Sequence, residues 1–515
     1  MSSADTLTDL WPSDFRSRTA VVIPDGGPTV SYAQLAGQIA SVAEALRRGG
    51  IGAGDPVAIV LGNGLEYLVL FLAATGVRAI AAPLNPAYKA EEFKFCMEDV
   101  GARAVIVPPG AHPARQAAAE PDISIWEASL DAAGCVRIQP PPGSGTRQSS
   151  DEQSLTTSLD TTAPEAGDVA LFLHTSGTTS RPKGVPLTHG NLMTSIRNIA
   201  RTYHLTSDDA SLVVMPLFHV HGLLGATLST LHAGGTTVIP ARFSAGSFWP
   251  TVAAHRVTWY SAVPTIHQVL LSRADADQAP RSGLRFIRSC SAALAPAVFA
   301  QLEERFGAPV LEAYGMTEAS HQMCSNPLPP ARRQPGSVGP GTGVEVVILD
   351  EHGNQQPPRT QGEVSIRGAN VTHGYHNNPT ANASAFTNGY FRTGDQGFVD
   401  ENGYLTLTGR IKELINRGGE KISPLEVDAA LLEHPAVAEA VCFGVPDAKY
   451  GEEVHAAVVL KGSATAQEIQ AFCHDRLADF KVPKQIHIAE QVPRTATGKI
   501  QRRHVAAFFT AHAAG

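Results

Sequence analysis

The feature that most constrains this chain is an alternation of short, β-rich apolar runs with longer segments of helical periodicity. The runs Val57 to Leu61, Ala79 to Ala82, Ala104 to Val107 and Ser211 to Met215 alternate with helical stretches such as Tyr32 to Leu46 and Glu66 to Thr75. Strands that are apolar throughout need cover on both faces, which predicts largely parallel sheets in an α/β architecture. With 515 residues the chain exceeds what one hydrophobic core organises, so several units are expected and a small binding module is excluded. The Ser-, Thr- and Pro-rich stretch from Gln139 to Asp168 reads as a surface excursion between two subdomains. From Gly343 the pattern changes to alternating strands, Val344 to Leu349 and Glu363 to Arg367, separated by turn signals, which predicts an antiparallel unit. After Gly409 two capping boxes follow, Ser423 to Glu426 and Thr465 to Glu468. The second is expected to open a helix whose Ile469, Phe472, Cys473, Leu477 and Phe480 share one face. The last ~100 residues therefore read as a separate compact α+β domain.

Charge narrows the partners. Forty Lys and Arg against 48 Asp and Glu leave a net charge of -8, which gives no basic field to gather nucleic acid or an anionic membrane. Small ligands are expected instead, with no obligate protein partner evident. The apolar run Leu68 to Val77 is far shorter than the ~20 residues that span a bilayer and is expected to be a buried helix. Residues Met1 to Leu10 have neither the cationic nor the apolar region of a signal peptide, and the chain ends in His512-Ala-Ala-Gly515 rather than Ser-Lys-Leu, so a cytoplasmic location is expected over a peroxisomal one. Six Cys without a CxxC pair are expected to be reduced and mostly buried, with neither disulfides nor structural zinc.

The segment richest in chemistry is Thr175-Ser-Gly-Thr-Thr-Ser-Arg-Pro-Lys-Gly184, directly after the apolar run Val169 to Leu173. Its hydroxyls, backbone amides and Lys183 can wrap an oligophosphate. A Walker A loop would place Ser or Thr after the lysine, whereas Gly184 stands there, so this is a phosphate loop of another type.

Together with Tyr314-Gly-Met-Thr-Glu318, Tyr390-Phe-Arg-Thr-Gly-Asp395, Gly409-Arg-Ile-Lys-Glu-Leu-Ile415 and Pro493-Arg-Thr-Ala-Thr-Gly-Lys499, in that order, the loop makes the chain resemble the adenylate-forming acyl-CoA synthetase superfamily over essentially its whole length. That resemblance implies a large N-terminal domain, residues 1–411, of two αβ subdomains plus a β-barrel, and a small mobile C-terminal domain, residues 412–515, hinged at Lys412. It implies ATP, Mg²⁺ and coenzyme A as cofactor and co-substrates, and a carboxylate activated as an acyl-adenylate. The nucleotide-binding residues it implies are Thr175, Ser176, Gly177, Thr178, Thr179, Lys183, Ser291, Ala292, Ala293, Glu312, Ala313, Tyr314, Gly315, Met316, Thr317, Asp395, Arg410 and Lys499. Beside these, Glu318 would hold Mg²⁺; among them, Thr317 would bond a phosphate, Tyr314 lie against adenine, Asp395 accept the ribose hydroxyls with help from Arg410, and Lys499 drive adenylation. Rotation at Lys412 would then bring Gly418, Gly419 and Lys421 to a pantetheine tunnel.

For the acyl pocket the resemblance supplies His219, in Met215-Pro-Leu-Phe-His-Val-His-Gly222, between the pocket and the thiol tunnel. His219 and His221 have no nearby third ligand for a metal. Cys290, in Ser289-Cys-Ser-Ala-Ala-Leu294, replaces a glycine of aryl ligases and should shorten the pocket. Ala319-Ser-His-Gln322 sets polar donors where those ligases have an apolar wall, so His321 and Ser289 are expected to meet acceptors on the substrate. No arginine is assigned to a distal carboxylate. A small dicarboxylate fits, and the runs Met316 to Gly339 and Gly418 to Pro424 closely resemble the oxalyl-CoA synthetases (oxalate-CoA ligases) of plants and fungi. Malonyl-CoA synthetase or another short-chain carboxylate-CoA ligase remains the alternative within the superfamily, and a non-catalytic nucleotide-binding protein the alternative outside it.

Overall fold

The computed structural model describes residues 5–119, 123–141, 162–175, 182–273, 283–494 and 500–512. Two large sheets dominate. The first has seven strands in the order Val136–Gln139, Ser124–Leu130, Ala104–Val107, Pro56–Ile59, Ile80–Pro83, Val169–Thr175 and Lys183–Thr188. Its inner strands are parallel and its edges antiparallel, as the continuous apolar runs require. The helix Leu65–Gly76, apolar on all sides, is buried along nearly its whole length. No described helix is long and apolar enough to cross a membrane.

The second sheet has eight strands in the order His321–Ser325, Val310–Met316, Phe286–Ser289, Trp259–Ala262, Ala210–Leu212, Thr236–Val238, Thr19–Val22 and Thr29–Ser31. The strand expected to reach Met215 stops at Leu212. Val213 still donates to the Val238 carbonyl at 2.9 Å, but Pro216 has no N–H to continue a ladder, and the chain turns away toward the site. The unit expected after Gly343 is a five-stranded antiparallel sheet, formed by Glu345–Leu349, Gly362–Arg367, Phe386–Thr387, Tyr390–Val399 and Leu405–Arg410 and hydrogen-bonded along an open path.

Residues from Ile415 to Ile486 bury a core of their own around the strand Gly451–Leu460, which pairs antiparallel with Val437–Asp447 and parallel with Gln485–Ala489. Thr465 and Glu468 form the full capping box expected of them. The helix they open, Ala466–His474, is shorter than expected, so Leu477 and Phe480 reach the core from the turn and from the 3-10 segment Asp479–Lys481, not from one helical face. At Ser423 only half the box exists. Its hydroxyl accepts from the Glu426 N–H, while the Glu426 carboxylate is held by Lys481 Nζ at 2.7 and 2.8 Å and does not reach back. Five of the six cysteines are buried, Cys135 being the half-exposed one.

Candidate active site

The C-terminal edges of both large sheets supply the site. In the first, Thr175 and Lys183 are directly opposed on a hairpin, with Thr175 Oγ1 donating to the Lys183 carbonyl at 3.4 Å. The loop they bracket carries Ser176, Gly177, Thr178 and Thr179, which lie outside the described residues, as does Lys499. Lys183 Nζ stands 3.9 Å from the centre of the Tyr375 ring, and the Tyr375 hydroxyl donates to Glu318 Oε1 at 2.9 Å. Burial holds the Lys183 ammonium below its ordinary pKa, Glu318 opposing this and Lys412 and Arg410 adding to it. A cation that is costly to bury alone is thereby set where an anionic ligand would stabilise it.

Thr317 and Glu318 sit on a 3-10 turn, Thr317–Ala319, at the end of the strand Val310–Met316. Ser320 and His321 follow with φ of 50° and 92°, two non-glycine residues in the left-handed region, at a cost of about 1–3 kcal/mol each. Hydrogen bonds hold the turn in place: Ser195 Oγ to the Ser320 carbonyl at 2.5 Å, Ser320 Oγ to the Asn370 carbonyl at 2.9 Å, and Asn370 Nδ2 to the Ala319 carbonyl at 2.8 Å.

Asp395 and Arg410 face each other across the antiparallel sheet, Arg410 Nε lying 3.0 Å from Asp395 Oδ1, and the Tyr314 hydroxyl donates to Asp395 Oδ2. Burial pushes the Asp395 carboxyl up, while Arg410 and Tyr314 pull it down. Tyr314 is itself 8% exposed, so its hydroxyl belongs to the Asp395 cluster. Glu312 points away from these groups. Its Oε1 accepts the Gly336 N–H at 2.8 Å, and burial pushes its carboxyl up to about 8. Ala313, Gly315 and Met316 pair with Ser325, Gln322 and His321, which zips the motif strand to the strand carrying the pocket residues. Ser291, with φ of 72°, and the exposed Ala292 and Ala293 form the turn after Phe286–Ser289.

The acyl end is built from buried polar groups. His321, 1% exposed, stacks on His221 with ring centres 5.0 Å apart. Both rings lie against a π-helical stretch, Leu223–Leu228, where a Cβ on Gly225 would come within 2.5 Å of His321 Nε2. Only a glycine allows this approach. His221 Nδ1 is 3.0 Å from Ser291 Oγ and its Nε2 2.6 Å from Ser261 Oγ. His219 is half-buried and its Nδ1 accepts the His221 N–H at 3.1 Å, so it caps the turn that carries His221. Ser289 and Cys290 are buried beside them, and Ser289 Oγ has no hydrogen-bond partner among the described residues. Sequence reasoning singled out His219 here. His221, hydrogen-bonded to Ser291 and Ser261, was not singled out as a site residue, nor were Tyr375, Ser261 and Arg288. The signal overlooked was Arg288, next to the apolar pair Phe286 and Ile287 in Leu284-Arg-Phe-Ile-Arg-Ser289.

The AMP-binding enzyme family matches residues 9–376, and the AMP-binding enzyme C-terminal domain matches residues 426–499. The chain belongs to the AMP-binding enzyme family. Within it, the chain is 50% identical to an oxalate-CoA ligase of Arabidopsis thaliana, covering 98% of this chain and 99% of that one. It is 47% identical to an oxalate-CoA ligase of Saccharomyces cerevisiae, covering 99% and 98%. Its fold is similar to that of ATP-bound MatB from Rhodopseudomonas palustris, with a TM-score of 0.88, 30% identity and 99% of both chains covered. Against the apo form of the same protein the TM-score is 0.78.

In this family member Lys412 is exposed on a short turn, Ile411–Glu413, between the last strand of the antiparallel sheet and the first strand of the C-terminal sheet. Gly418 and Gly419, with φ of 61° and 97°, form the two-residue hairpin turn between Ile415–Arg417 and Glu420–Ile422, a geometry that favours glycine at both positions. Lys421 is exposed on the second of those strands. Among the described residues no group of three or more His, Cys, Asp or Glu could hold a metal ion. A single buried carboxylate such as Glu318 suits Mg²⁺, which binds through one or two carboxylates plus substrate phosphates.

Proposed function

We propose that this protein is an ATP-dependent oxalate-CoA ligase. One carboxylate of oxalate attacks the α-phosphorus of ATP, the bond to the β-phosphate breaks, and oxalyl-adenylate and diphosphate form. The coenzyme A thiol, losing its proton, then displaces AMP to give oxalyl-CoA. The observation that carries this reading is near-full-length identity of about half to two ligases named for oxalate. The floor of the acyl end supports it, because Ser289 Oγ, buried and without a hydrogen-bond partner among the described residues, is a polar group that a short anion would satisfy and an alkyl or aryl chain would not.

The residues divide the work as phosphoryl transfer requires, by positioning and charge neutralisation. Asp395, braced by Arg410 and Tyr314, accepts the ribose hydroxyls. Thr175, Lys183, Thr317 and the loop between Thr175 and Lys183 hold the phosphates, and Glu318, oriented by Tyr375, holds Mg²⁺, which would neutralise phosphate charge. Lys499 bridges the reacting carboxylate and phosphate oxygens. Residues 412–515 turn about Lys412 after adenylation and bring the hairpin of Gly418, Gly419 and Lys421 to the thiol path. Lys412→Pro, which fixes φ at the hinge, should leave diphosphate release intact and cut thioester formation at least about 10-fold. Equal rates of the two half-reactions, relative to wild type, would remove Lys412 from that role.

The test of the substrate is a panel of oxalate, malonate, succinate and acetate with ATP and coenzyme A, read as diphosphate release. Each extra methylene in a closed pocket costs about 10- to 200-fold in specificity, so malonate should be distinctly poorer than oxalate and succinate negligible. A malonate kcat/KM equal to or above that of oxalate overturns the assignment.

A further inference from the structure

Arg288 lies in the strand Phe286–Ser289, two residues before Cys290, and is 0% exposed. Its Nε donates to the Tyr203 hydroxyl at 2.7 Å, Nη1 to Ser261 Oγ at 2.8 Å and Nη2 to Gln322 Oε1 at 3.0 Å. All three acceptors are neutral. Other sheltered arginines face acids: Arg417 faces Glu453 and Arg502 faces Asp428. Among the described residues no carboxylate comes within ion-pair distance of Arg288. A buried charge without a counter-charge is unfavourable, and no carboxylate here offsets that cost. The charge itself therefore needs a reason.

We propose that Arg288 is the fixed cation that makes this site select an acid bearing a second carboxylate beside the reacting one. This deepens the reading above and rests on it for the identity of the acid. The path from guanidinium to pocket is a directed chain of hydrogen bonds. Ser261 Oγ accepts from Arg288, so the arrangement that satisfies every group has the Ser261 proton on His221 Nε2, 2.6 Å away. That places the ring proton of His221 on Nδ1, aimed at Ser291 Oγ at 3.0 Å, and leaves the Ser291 proton to point onward into the site. Donors thus run outward from the cation to the junction of the acyl and nucleotide ends, and low polarity around them strengthens the alignment. His321, stacked on His221, continues the same surface. An acid whose distal group is anionic completes the charge balance of the buried arginine. One whose distal group is a methyl does not. Arg288 is a positioning residue here, acting through Ser261 and His221.

The experiment compares wild type, Arg288→Met, Arg288→Gln and Arg288→Lys, using kcat/KM for oxalate and for acetate, KM for ATP, and competitive inhibition by oxamate, in which an amide replaces one carboxylate. In wild type, oxamate should bind about 100-fold more weakly than oxalate. In Arg288→Met and Arg288→Gln the kcat/KM for oxalate should fall about 100-fold or more while that for acetate changes less than about 3-fold, and KM for ATP should stay within about 3-fold. Arg288→Lys should recover part of the oxalate preference. Equal losses for oxalate and acetate in folded variants would assign Arg288 a purely structural role and overturn the proposal. Equal binding of oxamate and oxalate by wild type would overturn it even if every variant failed to fold. A wild-type preference for a longer diacid would refute the oxalate assignment alone, and the same ratios measured with that diacid would still decide Arg288. A wild-type preference for acetate would refute both.

Discussion

The two ends of the site handle buried charge in opposite ways. At the nucleotide end the carboxylates have a counter-charge or a donor already in place: Arg410 on Asp395, Tyr314 on the same carboxylate, Tyr375 on Glu318. At the acyl end a fully buried arginine donates to two hydroxyls and an amide oxygen among the described side chains. The first arrangement is stable without ligand and suits a nucleotide that is the same in every turnover. The second is incomplete in charge until an anion arrives, and that incompleteness is what can discriminate between acids of equal size. Rate should therefore be lost without change of selectivity at one end, and selectivity lost at the other.

The largest expected effect is at the nucleotide end. Lys499→Ala should lower adenylation of every acid by about 1000-fold or more while thioester formation from supplied oxalyl-adenylate stays within a few-fold, because that ammonium is assigned only to the first transition state. Equal losses in both half-reactions would break the assignment. Next in size, Asp395→Asn should raise KM for ATP about 10- to 100-fold, since a neutral amide replaces the anion that Arg410 and Tyr314 hold. The ratio of oxalate to malonate kcat/KM should not move. A shift in that ratio would mean the two ends are not separable.

This difference also decides what the sequence reveals. The nucleotide end is written in contiguous motifs, and of these Tyr314 to Glu318 folds as a strand end with its turn and Tyr390 to Asp395 as part of one strand. The α/β class, the antiparallel unit and the separate C-terminal core follow from period and turn chemistry in the same way. The acyl floor is not contiguous. Ser261, Arg288 and Gln322 come from separate strands that become neighbours only through the sheet order His321–Ser325, Val310–Met316, Phe286–Ser289, Trp259–Ala262. His221 reaches them from a turn capped by His219. The π-helical stretch is equally hidden, because Leu223–Leu228 reads as ordinary apolar helix. Of the acyl residues, Cys290 and His321 could be picked out only because they replace residues common in aryl ligases.

Gly225 offers a smaller and more local test of the acyl end. A methyl there would press on His321 within van der Waals contact and push the ring off its stack with His221. Gly225→Ala should lower kcat/KM for oxalate about 10-fold with KM for ATP unchanged. Unchanged oxalate kinetics would show that the ring stack is not part of the acyl floor.

The smallest effect concerns a third kind of buried charge, a carboxyl with no cation at all. Glu312 lies on the strand between the two ends, and its Oε1 accepts the Gly336 N–H. Burial raises its pKa from 4.5 to about 8, so between those values the folded protein holds a proton that the unfolded chain has released. Stability then falls as pH rises through the window from about 4.5 to about 8, and the loss is complete above it. The shift sets an upper limit on the order of 5 kcal/mol. Glu312→Gln keeps an oxygen for the Gly336 N–H and removes the titration. Its Tm should match wild type near pH 5 and exceed it by about 5 °C near pH 9. Burial raises the Asp395 carboxyl as well, but Arg410 and Tyr314 oppose that rise, so Asp395→Asn should show a smaller gain at high pH. Parallel Tm-against-pH curves for wild type and Glu312→Gln would mean that this carboxyl is ionised in place, and that a lone buried acid is not what separates it from the paired one.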